Sequence, residues 1–157
     1  YIKMEKCMNI YEVKNRTELL INELVNLWED SVKNTHLFLS NEEIKTIKKY
    51  VPKAIHQVQH LLILEEQPNI PLAFMGINDN KLEMLFVKNS ERGKGLGTSL
   101  LKYGITNFKI NELVVNEQNP NARKFYEQFG FEIYKRSSID EQGSPYPILY
   151  MRLEKEK

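Results

Sequence analysis

Apolar and polar residues alternate from Met8 to Val13, a period of two that predicts a first strand able to sit at a sheet edge. The period then lengthens. Leu20, Leu24, Leu27, Trp28 and Ser31 recur at helical spacing, and Asn15 with Glu18 resembles a capping box opening that helix. Ser40-Asn41-Glu42-Glu43 starts a second helix with Ile44, Ile47 and Val51 turned inward. Pro52 is expected to break or kink it, because proline lacks the donor that a helix interior needs.

His60 to Glu65 is a nearly continuous apolar run, the pattern of a buried strand. The turn residues Gln67-Pro68-Asn69 and Asn78-Asp79-Asn80 separate it from two more runs, Ile70 to Ile77 and Leu82 to Val87, and so predict a three-stranded antiparallel meander. A helix with Leu96, Leu100, Leu101, Ile105 and Phe108 on its apolar face follows. Glu112 to Asn116 reads as a strand, and Asn119-Pro120 opens a short helix ended by Gly130. Phe131 to Ile139 and Pro147 to Leu153 form a closing strand pair around Asp140-Glu141-Gln142-Gly143. This order predicts an α/β fold, a mixed sheet with helices on both faces. Residues 8–154 read as a single domain. The charged residues 1–7 are expected to form a flexible extension, with Met8 as an alternative start.

Composition removes several classes. A length of 157 residues fits one domain with a proper core. The formal charge of +1 and the scattered lysines argue against a nucleic-acid surface. No apolar run approaches the roughly 20 residues of a membrane span, and the first residues lack a signal-peptide core. The single cysteine, Cys7, excludes an internal disulfide and fits a reducing cytoplasm. His56 and His60 are remote from any cysteine or carboxylate cluster, so no metal is expected.

The densest chemical signal lies between Glu91 and Leu101. Three of the seven glycines, Gly93, Gly95 and Gly97, fall within five residues there. Glycine lets backbone N–H groups converge and lets a ligand lie against bare main chain, while the helix start adds free donors and its dipole. The segment therefore reads as an anion site, most simply for phosphate; the blander reading is a tight strand-to-helix turn. Lys94 between two glycines, with no Ser or Thr after it, does not fit a Walker A loop. A single residue between Gly95 and Gly97 does not fit the dinucleotide fingerprint, which also belongs in the first βαβ unit.

Arg92-x-x-Gly95-x-Gly97 resembles the Arg/Gln-x-x-Gly-x-Gly/Ala pyrophosphate loop of the GNAT superfamily of acetyl-CoA-dependent N-acetyltransferases. Val115 to Phe131, with Asn119, Ala122, Phe125-Tyr126 and Gly130-Phe131 in order, resembles that family's second cofactor segment. Trp28, Ser31-Val32, Thr35-His36, Phe38-Leu39-Ser40 and Gln142 to Pro147 are similar to its YjaB-type bacterial subgroup, so the resemblance runs from about Met8 to Leu153. It implies a mostly antiparallel twisted sheet of about seven strands flanked by about four helices. It also implies direct acetyl transfer from acetyl-CoA to a primary amine, without a metal. The implied cofactor residues are Leu85, Phe86 and Val87 on the strand, Arg92, Gly93, Lys94, Gly95, Leu96, Gly97 and Thr98 in the loop, and Asn119 and Phe125 beyond. N–H groups near Phe86 and Val87 would face the thioester carbonyl, with the pantetheine arm paired like an added strand.

By the same resemblance Tyr126 protonates the departing thiolate, a role suited to a phenol with an ordinary pKa of about 10; the alternative is a ring that only packs its helix. Asn119 before Pro120 is explained by helix capping alone, and the resemblance adds a pantetheine contact. A lysine-like amine carries a proton whose removal costs roughly 4 kcal/mol at neutral pH, so a base is required. Glu83, two residues before Leu85 and so expected on the same strand face, is the carboxylate candidate, against the reading of an exposed edge residue. His36 and Tyr146 are expected to line the acceptor pocket, or to be structural. The acceptor is a small-molecule or peptide amine, and a homodimer through the last strands would suit the family. A non-catalytic acyl-CoA-binding module keeps the glycine loop but needs neither Tyr126 nor a base. A generic nucleotide binder predicts that ATP competes with CoA.

Overall fold

The computed structural model describes residues 8–154, so Cys7 and the N-terminal extension lie outside the described residues. Seven strands form one sheet: β1 (Asn9–Glu12), β2 (His60–Glu65), β3 (Pro71–Asn78), β4 (Lys81–Val87), β5 (Glu112–Asn116), β6 (Phe131–Ser137) and β7 (Ile148–Leu153). Their order is β1-β2-β3-β4-β5-β7-β6. Every neighbouring pair is antiparallel except β4 with β5. The predicted meander is β2-β3-β4.

Helices cover both faces, which is why the central strands show little alternation. Leu61, Ile63 and Phe74 pack under α1 (Glu18–Thr35), α2 (Asn41–Lys48) and α3 (Val51–Gln57). Leu62, Leu64, Ala73, Met75 and Ile77 point the other way, where α4 (Leu96–Phe108) supplies Leu96, Leu100 and Leu101. The fifth helix, α5 (Pro120–Gln128), lies on the α4 side of the sheet, where Ala122, Phe125 and Tyr126 pack against the same core.

Three local expectations change. There are five helices rather than about four, because the helix expected to break or kink at Pro52 is broken just before it: α2 ends at Lys48, and Pro52 occupies the first turn of α3, where its missing N–H has no partner to lose. The cap of α1 is Thr17 rather than Asn15, its hydroxyl accepting from Leu20 N–H at 3.2 Å. β6 stops at Ser137, whose hydroxyl donates to the Ile139 carbonyl at 2.7 Å and turns the chain. The capping box of α2 forms as expected: Glu43 N–H donates to Ser40 Oγ at 3.1 Å, and Ser40 N–H to Glu43 Oε1 at 3.0 Å.

One feature of the sheet positions the site. The parallel ladder between β4 and β5 contains only Lys81 with Glu112 and Leu82 with Leu113. Beyond Leu82 the two strands diverge, so one edge of β4 up to Val87 faces a gap instead of a neighbour.

Candidate active site

The gap continues into the glycine loop. After Val87 a single 3₁₀ turn, Asn89–Glu91, is tied to α1 by the Asn89 N–H, which donates to Asp30 Oδ2 at 2.7 Å. Gly93 and Gly95 then adopt φ 77° and 83°, left-handed values that other L residues resist. A Cβ on either would meet nothing within 4 Å, so open space lies beside this backbone. Gly95 caps α4 without a side-chain bond, and the first helical bond runs from Ser99 N–H to Gly95 O at 3.0 Å. The N–H groups of Leu96, Gly97 and Thr98 therefore stand free at a positive helix end.

These donors border a cleft of about 340 Å³. Leu85, Phe86 and Val87 form its strand wall, and Arg92, Gly93, Gly95, Leu96, Gly97 and Thr98 its loop wall. Asn119, Phe125 and Tyr126 close it from α5. Bare donors at one end, an unpaired strand edge along one side and an apolar wall opposite match a diphosphate joined to an extended arm. Asn119 keeps its capping role as well, accepting from Ala122 N–H at 3.3 Å. Arg92 forms no ion pair among the described residues and is available to an anion. Lys94 differs: its ammonium pairs with Glu91 at 3.1 Å, and its side chain is not part of the cleft wall.

Tyr126 packs between Phe125 and Phe131, with ring centroids 5.2 and 6.1 Å away. Burial pushes its phenol well above the ordinary value of 10.0, so the hydroxyl holds its proton throughout the neutral range.

A second cleft of about 340 Å³ opens on the α1 side and contains Glu83, Phe86, His36 and Tyr146. His36 and Phe86 are the two residues that line both clefts. Glu83 does not share a face with Leu85 as expected. The β3–β4 register shifts so that Gly76 opposes Met84 while Ile77 opposes Leu82, leaving Glu83 as the extra residue of a bulge. Leu85 packs with the α4-side core, and Glu83 joins Phe86 in the second cleft. Lys81 Nζ lies 3.7 Å from Glu83 and 3.3 Å from Glu141. Burial works to lower the Lys81 amine, but the two carboxylates outweigh it and hold it above its ordinary value.

His36 follows the last turn of α1, its N–H donating to Val32 O at 2.9 Å. Its ring lies 5.5 Å from Phe38, which is 5.5 Å from Tyr146. Burial lowers its pKa below 6.5. Sequence reasoning did not assign Ser31, Thr35 and Asn121 to the first cleft, or Lys81, Phe38 and Glu141 to the second. Asn121, Ser31, Thr35 and Phe38 lie inside stretches that carry the resemblance, although no role was read for them; Lys81 and Glu141 needed the fold. Among the described residues no group of three or more His, Cys, Asp or Glu could hold a metal, and no helix is long and apolar enough to cross a membrane.

Residues 35–154 match the acetyltransferase (GNAT) domain family. The chain is 32% identical over 126 residues to the peptidyl-lysine N-acetyltransferase YjaB of Salmonella typhimurium, covering 80% of this chain and 86% of that protein. Its structure is similar to that of apo YjaB from Escherichia coli in solution, with a TM-score of 0.82 at 29% identity over 93% of this chain and 97% of that one. PaiA N-acetyltransferase of Thermoplasma acidophilum, solved with coenzyme A, shares the fold at a TM-score of 0.65 and 20% identity, over 93% and 99% of the two chains. A family match of that length takes in β4, the glycine loop, α4 and α5, which build most of the first cleft: the chain belongs to the GNAT family and is an N-acetyltransferase that uses acetyl-CoA.

Proposed function

We propose that residues 8–154 act as one domain that acetylates the side-chain amine of lysine in a peptide or protein. The observation that carries this reading is the meeting of two clefts at Phe86 and His36, one shaped for a diphosphate and its arm, the other lined by Glu83, Asp140 and Glu141. Carboxylates there favour an incoming ammonium over an anion. The YjaB relatives, named peptidyl-lysine N-acetyltransferases, point to the same acceptor.

In this reading Arg92 and the free N–H groups from Leu96 to Thr98 hold the diphosphate, with Lys94 contributing through its backbone. Leu85, Phe86 and Val87 align the pantetheine arm, and N–H groups of the strand polarise the thioester carbonyl. Asn119 and Phe125 border the arm from α5. Tyr126, which keeps its proton at neutral pH, supplies it to the leaving thiolate. Glu83 draws the acceptor ammonium into the second cleft, beside Tyr146. The cytoplasm, inferred from the lone cysteine, is the compartment where acetyl-CoA and such acceptors meet. A homodimer would use the edge of β6, where Ile133 and Tyr134 stand exposed, and light scattering tests it.

The function is tested by following thiol release from acetyl-CoA with lysine peptides, amino-terminal peptides and small amines. Turnover confined to peptides that contain an internal lysine is expected. Turnover only with small amines overturns the peptide acceptor, and coenzyme A binding with no turnover on any amine restores the non-catalytic module.

A further inference from the structure

We propose that His36 is the base of this enzyme: its Nε2 takes the proton from the acceptor ammonium at the junction of the two clefts. The inference rests on the acetyl-transfer reading above but not on which amine is the acceptor. Position comes first. His36 and Phe86 are shared by the two clefts, so the imidazole stands where amine and acetyl carbon must meet.

The hydrogen bonds then fix which nitrogen is free. Thr35 Oγ1 donates its single proton to the Ser31 carbonyl at 2.9 Å. The same oxygen lies 2.8 Å from His36 Nδ1 and has only lone pairs left for that contact. Nδ1 therefore carries the ring hydrogen, and Nε2 carries the lone pair. Phe38, tilted against the ring at 5.5 Å, restrains its plane. Burial keeps the imidazole neutral at pH 7, so the lone pair is present when the ammonium arrives. Glu83 is the competing base, but its carboxylate shares Lys81 with Glu141, and it borders only the acceptor cleft. The other charged groups around the junction are Asp140 on the acceptor side and Glu91 and Arg92 on the cofactor side.

The step balances. Nε2 accepts one ammonium proton, and the freed nitrogen pair bonds to the acetyl carbonyl carbon. The C–S bond breaks with its electrons on sulfur, and Tyr126 protonates the sulfur. The second proton lost by the new amide nitrogen restores the phenol, and His36 releases its proton to solvent.

His36→Asn is the discriminating variant, because the asparagine amide can still donate to Thr35 while Nε2 is gone. Two acceptors are compared at pH 7: a blocked peptide with one internal lysine, and the same peptide with an aminooxy group in place of the side-chain amine, a weak base that needs no deprotonation before attack. Loss of a base predicts a fall in kcat/KM of about 100-fold or more for the lysine peptide. The aminooxy peptide should lose far less, and coenzyme A affinity by calorimetry should be unchanged. Equal losses on both acceptors, or near-full lysine activity, overturn the proposal; so does the selective loss appearing in Glu83→Gln instead. If the wild-type enzyme turns over only a small amine, the peptide acceptor alone fails, and that amine with its aminooxy analogue decides the base.

Discussion

Gly97→Ala tests whether this glycine is needed by the fold, by the ligand or by neither. The backbone at residue 97 is helical and not left-handed, since positive φ values among the described glycines are confined to 93, 95, 130 and 143. A Cβ there would lie 3.6 Å from Phe125 Cζ and 3.7 Å from Val87 Cγ2, ordinary van der Waals contact. Packing thus tolerates alanine, and replacing glycine inside a helix restores about 0.5–1 kcal/mol through the unfolded chain. For a domain of this size that is a rise in Tm of about 2–4 °C per kcal/mol. The cofactor side should not oppose it. The pyrophosphate loop that this segment resembles takes Gly or Ala at this position, and the added methyl group meets Phe125 and Val87 rather than the free N–H groups of Leu96, Gly97 and Thr98. All three donors are kept, so the Kd for coenzyme A should stay within about threefold, or about 0.7 kcal/mol. Urea unfolding of the apoprotein and calorimetry with coenzyme A read the two effects independently. A loss of coenzyme A affinity of about tenfold or more would refute the reading of a cradle made of backbone donors that this methyl leaves clear, and a less stable variant would refute the packing argument.

Gly95→Ala should instead cost about 1–2 kcal/mol in urea unfolding, because φ 83° is a left-handed conformation although nothing crowds its Cβ. Tyr126→Phe should lower kcat by about 100-fold with KM for acetyl-CoA nearly unchanged; a small effect in steady-state assays would remove the acid role. Ser40→Ala removes the side-chain half of the α2 capping box, the bond from Glu43 N–H to Ser40 Oγ, and should destabilise by about 1 kcal/mol, read from the urea midpoint. Burial lowers the folded pKa of His36, so below 6.5 the unfolded chain binds more protons than the native one. Stability should therefore fall as pH drops from 6.5 through the lowered value, and His36→Asn should flatten that segment of a urea-midpoint profile.

What was legible in the chain is what its local physics decides. The run from His60 to Glu65 reads as a buried strand because both of its faces are covered, and Gly93 and Gly95 read as a turn because few other residues accept their φ. Ser40 and Glu43 declare a helix start because the box is closed within four residues. Near-degenerate signals misplaced the other starts. Asn15 and Thr17 can both cap, and only the bond to Leu20 N–H chooses Thr17. Pro52 ends one helix as readily as it begins the next, and the three-dimensional path picks the second.

The site was half legible for a deeper reason. Its phosphate end is a contiguous loop, whereas its acceptor end is assembled from β4, the end of α1 and the turn after β6. Strand alternation placed Glu83 beside Leu85, and alternation holds only where the register is unbroken. The break had a visible mark: Gly76 is the lone glycine in an apolar strand, a common sign of a bulge. Its Cβ would come to 3.0 Å from Val58 Cγ2, so the same glycine also admits α3's end against the sheet. The bulge turns Glu83 to the α1 side while Leu85 stays on the α4 side. In the proposed reading one strand thereby presents carboxylate to the amine and backbone to the thioester, and His36 and Phe86 line both clefts. On that reading a one-residue register shift sets which side of the strand each reactant would occupy, and no local pattern around Glu83 states it.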